Sequence, residues 1–168
     1  TLPSLAPAGL SIKPAAMSFG GLPVYNFDEH QSGGIPAVVT QFADAIKAAD
    51  GLIICSPEYN WSIPGGLKNL IDWLSRLKDQ PFKDKPIAIV SAAIGPLGGA
   101  RVQYELRKIF VQIWGMVLPR PEVFIGNAAS KFDAEGRLTD ETTRKFLTAQ
   151  MAGFREWILR MKRAAGPG

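Results

Sequence analysis

A chain of 168 residues, 46% hydrophobic and 20% charged, can build one core and is short for two, so a single domain over 1–168 is expected. No stretch approaches the roughly 20 apolar residues that cross a bilayer, and no charged-then-apolar leader opens the chain, so a soluble protein with no membrane span is expected. The net charge of +4 crowds the carboxyl end in Arg155, Arg160, Lys162 and Arg163, where cations suit a helix dipole rather than nucleic acid, and the single cysteine, Cys55, points to a reducing cytoplasm.

In chain order, Leu10 to Met17 reads as a strand, and Gly20 to Tyr25 and Gln31 to Pro36 read as loops in which glycine and proline cluster without period. Val39, Phe42, Ile46 and Ala49 then make the inner stripe of a helix. Gly51 to Cys55 has the length and β-branching of a core strand, which makes Cys55 a small core residue. Leu67, Leu70, Ile71 and Leu74 recur at helical spacing, with Ser62 as the expected cap and Pro64 in the first turn. Ile87 to Val90 forms the next strand. Val102, Leu106, Ile109 and Ile113 face the core from the next helix, which Gly115 ends. Met116 to Ile125 is a broken strand, because Pro119 and Pro121 cannot donate to a central ladder. Thr139-Asp140-Glu141 opens the last helix, whose stripe is Leu147, Met151, Phe154, Ile158 and Met161. Strands alternating with helices indicate an α/β, doubly wound architecture.

The run from Ser56 to Asn69 is the most informative segment, because it breaks a buried strand into a polar loop and then a helix. At the carboxyl end of a parallel strand, loop amides and a helix terminus face a crevice that suits an electron-rich ring or an anion. His30 is the only histidine, which excludes a histidine-based triad and a multi-histidine metal site; no metal site is expected. Gly33-Gly34 lacks the strand-to-helix context of a dinucleotide fingerprint.

Pro57-Glu58-Tyr59-Asn60, followed by Pro64-Gly65-Gly66-Leu67-Lys68-Asn69 and Asp72-Trp73-Leu74-Ser75-Arg76, resembles the signature of the NADPH-dependent FMN reductase family, flavodoxin-like enzymes that include quinone, azo-dye and chromate reductases. Lys85 to Val90, Gly95 to Arg101, Gln103-Tyr104, Leu106-Arg107 and Arg120 to Val123 follow in the family's order, so the resemblance covers nearly the whole chain. It implies a flavodoxin-like three-layer doubly wound parallel sheet holding FMN, with NAD(P)H as co-substrate. Pro57, Glu58, Tyr59, Asn60 and Trp61 would cradle the flavin ring. Ser91, Ala92, Ala93, Gly95, Gly98 and Gly99 would meet the same edge, mostly through backbone. Relatives commonly carry a hydroxyl residue where Ala92 or Ala93 stands, and some carry tyrosine where Trp61 stands. Arg101, Tyr104 and Glu122 resemble positions that meet across a subunit interface, in a homodimer or homotetramer.

The chemistry implied is carried by FMN rather than by a catalytic side chain, in two half-reactions. NAD(P)H delivers hydride, and a quinone, free flavin, azo compound or chromate-like oxyanion then takes the electrons. Two alternatives stand beside it: a flavodoxin-type electron carrier, and a shortened relative without FMN. The resemblance begins within the family's first helix, so the strand and phosphate loop before it have no counterpart, a deficit of about 30 residues. On that reading the native chain is longer, and these residues alone fold poorly and bind FMN weakly.

Overall fold

The computed structural model describes residues 1–166; the last two residues of the expected 1–168 domain lie outside the described residues. A short 3-10 helix at Leu2–Leu5 precedes α1 (Phe27–Gly33), α2 (Ala37–Ala48), β1 (Leu52–Ser56), α3 (Gly65–Leu74) and β2 (Pro86–Ala92). Next come α4 (Ala100–Gln112), β3 (Met116–Val117), β4 (Val123–Ile125), a second 3-10 turn at Ala128–Ser130, and α5 (Glu141–Ala164). Among the described residues the strands pair in parallel throughout: β1 with β2, and β2 with both β3 and β4, which occupy successive halves of one edge.

Period-2 alternation along the strands divides the interior in two. Ile87 and Ile89 of β2, with Ile54 of β1, join Val39, Phe42, Leu70, Leu74, Leu106 and Phe110 in a core under α2, α3 and α4. Ala88 and Val90 face the opposite side, where Phe154, Ile158 and Leu147 of α5 cover them. Helices thus lie on both faces of the sheet, which is the expected three-layer α/β arrangement. The stripes anticipated on α3 and α5 are buried at Leu70, Ile71, Leu74, Leu147, Met151, Phe154 and Ile158. Asp140 caps α5, accepting the Thr143 N–H at 2.8 Å.

Several expectations are corrected. Leu10 to Met17 forms no strand: Pro14 has no N–H to give, and residues 11–16 lie mostly exposed with no ladder beside them. Among the described residues no strand pairs with the outer edge of β1. Part of the expected Gln31–Pro36 loop is helical, because the Asn26 side chain accepts the Asp28 and Glu29 amides and nucleates α1. Ala49 is the C-terminal cap of α2 and is exposed rather than part of its inner stripe. Helix α4 ends at Gln112, and the left-handed residue after it is Trp114 (φ 60°), not Gly115. Gly115 is needed for closeness instead, since a Cβ there would stand 2.7 Å from Ile87 Cδ1. Cys55 is exposed: it shares the sheet face of Ile53, at the outer edge of β1.

Candidate functional site

Because the strands are parallel, the chain leaves β1, β2 and β4 at one end of the sheet, and the loops meet there. The first loop folds on itself. The Tyr59 N–H donates to the Ser62 carbonyl (3.0 Å) and the Ser62 N–H to the Tyr59 carbonyl (2.9 Å), closing a turn over Asn60 and Trp61. Both central residues have positive φ, 48° and 67°, which is the type I′ pattern that favours Asn-Gly. Asn60 suits its place; Trp61 is strained in its own. With its backbone spent on this turn, Ser62 does not cap α3. Pro64 is the N-cap residue, and no side chain caps that helix.

Glu58 reaches out of this loop to the start of α4. Gly99 is the N-cap of α4, in the left-handed region at φ 81°, and has no side chain to offer the first amides. Glu58 supplies one: its Oε2 accepts the Arg101 N–H (3.0 Å) and the Val102 N–H (3.2 Å), and its Oε1 accepts from Arg101 Nη1 (3.3 Å). A carboxylate on a helix N-terminus is favourable both as acceptor and as charge. The Arg101 guanidinium then lies over the Trp61 ring, 4.0 Å from its centroid. A single chain of contacts therefore joins the helix terminus, the carboxylate, the guanidinium and the strained tryptophan.

The second loop is pinned from inside. Ser91 is 1% exposed. Its hydroxyl donates to the Gly98 carbonyl (2.6 Å) and accepts from Gln103 Nε2 (2.8 Å), so it is not free for a ligand. The Ala93 N–H donates to the Ile125 carbonyl, and the Asn127 and Ala128 amides donate to the Gly95 and Ala93 carbonyls. A Cβ on Gly98 would stand 2.6 Å from Gly126 N, and one on Gly99 2.7 Å from Ser91 Cβ, so these glycines serve backbone packing inside the protein. Gly95 has open space around its Cα. Pro57, Tyr59, Asn60, Trp61 and Gly95 lie exposed; Ala92 and Ala93 are half-buried.

Arg101 and Glu122 do not meet within the chain. Glu122 pairs with Arg107, whose Nε lies 3.3 Å away at an angle that makes no hydrogen bond, while Arg107 Nη1 donates to the Leu118 carbonyl. Tyr104 is exposed beside Phe124. His30 packs against Tyr25 and Trp73, and no cluster of three metal-ligating side chains occurs among the described residues. Two residues not read as functional matter here: Gly126, which leaves room for the second loop, and Gln103, which orients it. Gln103 shares the buried face of α4 with Val102, Leu106 and Phe110, and a polar residue on an apolar stripe is the signal that identifies it.

The sequence model of the family described as NADPH-dependent FMN reductase matches residues 4–130. A quinone reductase of Escherichia coli (strain K12) is 46% identical over 163 residues, 96% of this chain and 86% of that protein. An NAD(P)H-dependent FMN reductase of Pseudomonas aeruginosa is 44% identical over 158 residues, 94% of this chain and 84% of that one. Among solved structures, FerB of Paracoccus denitrificans, a flavoenzyme NAD(P)H:(acceptor) oxidoreductase, superposes with a TM-score of 0.81 at 34% identity, covering 95% of this chain and 86% of FerB.

Proposed function

The chain belongs to the NADPH-dependent FMN reductase family, and from that premise we propose that it is an FMN-dependent NAD(P)H oxidoreductase delivering electrons to quinones and similar small acceptors. The observation that carries this is a set of unspent donors. Among the described residues the amides of Asn60, Trp61, Ile94 and Gly95 donate to no group, and all four belong to the loops that follow β1 and β2, the first of which Glu58 ties to the start of α4. Neutral N–H donors on a fixed frame suit the electron-rich edge of a flavin, where negative charge develops on reduction. The loop residues therefore fit the cofactor the family implies.

Bound FMN would supply hydride acceptance and onward electron transfer, which no side chain here performs. The protein's share is binding and orientation. The loops of residues 57–61 and 93–97 present amides, Tyr59 and Trp61 form a wall, and Ser91, Gly98 and Gly99 act from behind by fixing the loop. Glu58 is committed to the α4 terminus rather than to proton transfer. An open site used in turn by the nicotinamide and the acceptor accounts for acceptors as different as quinones, free flavin, azo compounds and chromate-like oxyanions. A homodimer or homotetramer is part of this reading, supported by the exposed apolar rim of Tyr59, Trp61, Ile94, Leu97 and Tyr104. A cytoplasmic location is supported by the single cysteine, and no helix among the described residues is long and apolar enough to cross a membrane.

The test is to titrate FMN to saturation while recording the flavin spectrum, then to follow NADPH oxidation with a quinone at several concentrations in the presence of that FMN. A saturable spectral change and parallel double-reciprocal lines are expected. A protein that takes up no FMN at any concentration overturns the proposal. Bound flavin that NADPH leaves oxidised makes the chain an electron carrier instead.

A further inference from the structure

Strand β2 pairs with β3 through Pro86 and Ile87 and with β4 through Val90, Ser91 and Ala92; the proline-rich stretch between β3 and β4 leaves a gap on that edge. Two buried glutamines stitch this edge, Gln150 across the gap and Gln103 at the start of β4. From α5, Gln150 Nε2 donates to the Ile89 and Pro121 carbonyls, both at 3.1 Å. From α4, Gln103 Nε2 donates to the Val123 carbonyl and to Ser91 Oγ, both at 2.8 Å. Carbonyl oxygens only accept, so neither amide can be turned round without setting oxygen against oxygen.

The Gln103 amide fixes where the Ser91 oxygen sits, and so where its hydrogen can be delivered. Ser91 Oγ accepts from Gln103 and gives its single hydrogen to the Gly98 carbonyl at 2.6 Å, so the turn that carries Gly95 is held from within. Gln103 is fully buried, and its Oε1, like that of Gln150, has no partner among the described residues. An apolar side chain at this position would avoid that orphaned acceptor. We propose that Gln103 is a positioning residue: by setting the Ser91 hydroxyl it holds the Gly95–Gly99 turn in the shape that meets the cofactor. This rests on the FMN-binding reading above. Gln150 makes a similar bridge without touching that turn and is the built-in control.

The experiment uses Gln103→Met, Ser91→Ala, their double variant and Gln150→Met. FMN affinity is read by quenching of flavin fluorescence, and amide hydrogen exchange at Gly98 and Ala100 is read without cofactor. Gln103→Met and Ser91→Ala are each expected to weaken FMN binding roughly tenfold and to speed exchange at both amides. In FMN affinity the double variant should be no worse than Ser91→Ala, since Gln103 reaches the turn only through Ser91. Gln150→Met should lower the unfolding midpoint yet keep the wild-type dissociation constant. Wild-type affinity and exchange in Gln103→Met, additive losses in the double variant, or an equal loss in Gln150→Met would each overturn the role. If Gln103→Met fails to fold, Ser91→Ala reads the same bond. Wild-type protein that takes no FMN overturns the functional reading instead, and the exchange measurement still decides for or against Gln103.

Discussion

Glu58 and Arg101 meet twice: one carboxylate oxygen accepts the Arg101 backbone N–H and the other accepts from its guanidinium. The backbone contact matters more than the ion pair, because the Arg101 side chain is 37% exposed and solvent screens it, whereas the first amides of α4 have no other cap. Glu58→Ala should cost about 1–2 kcal/mol in urea unfolding and weaken FMN binding with it. Glu58→Gln keeps an oxygen for those amides and should retain most of both stability and turnover. A large fall in kcat for Glu58→Gln at unchanged FMN affinity would show that the carboxylate moves a proton.

Trp61 sits where a type I′ turn favours glycine, so its strain and its stack on Arg101 oppose each other. A bulky residue held in the left-handed region costs about 1–2 kcal/mol, and a cation–π contact on an exposed ring returns about 0.5–1 kcal/mol. Trp61→Gly should therefore unfold at the same or slightly higher urea concentration than the wild type. The same change removes the aromatic wall, so kcat/KM for quinones should fall while stability does not. Loss of both together would mean that the indole holds the turn rather than strains it.

The glycines of the second loop divide sharply. Gly98 combines a φ of 61° with backbone 2.6 Å from any added Cβ, and backbone cannot swing aside as a side chain would; Gly95 has neither constraint. Gly98→Ala should lose about 2–3 kcal/mol or fail to fold, and Gly95→Ala should stay within about 0.5 kcal/mol of the wild type. Thermal unfolding of the two variants side by side decides this.

Helix stripes and core strands were legible in the chain because apolar spacing alone dictates them, as at Leu70, Ile71 and Leu74 or at Ile87 to Val90. The site loop was legible through its wording. What stayed hidden was whatever depends on a distant partner. Glu58 caps a helix 43 residues away, and nothing near either residue announces it. Cys55 has the composition of a core position, but its exposure depends on what lies beside β1. Leu10 to Met17 has strand-like composition and no ladder to join. The Asn26 cap that makes α1 was local, and Asn before Phe-Asp-Glu was a readable start signal.

Asp140 gives stability an acid limb. Hydrogen bonds from the Thr143 hydroxyl and then the Thr143 N–H hold its carboxyl below the ordinary value of 3.8. A depressed folded-state value means that the unfolded chain takes up the proton first. The cap's contribution is therefore complete above the ordinary value and disappears as pH falls through the folded one. Asp140→Asn keeps an oxygen for the cap without the titration. Unfolding temperatures of wild type and variant, measured from about pH 6 to about pH 2, should converge at the acid end. Parallel curves throughout would mean that the carboxylate charge contributes nothing.

Cys55 is solvent-reachable but crowded by protein on most sides, and this desolvation pushes its thiol above the ordinary 9.0. The thiolate is the nucleophile, so at neutral pH the native protein should alkylate more slowly than the urea-unfolded chain despite the exposure. Native-state labelling should accelerate about tenfold per pH unit up to and beyond the ordinary value, following the thiolate fraction. The linkage has the matching sign: the neutral thiol is favoured in the fold, so its contribution is present below the ordinary value and is lost as pH rises through the folded one. A native labelling rate equal to the unfolded rate at neutral pH would place the thiol in open solvent with no protein around it.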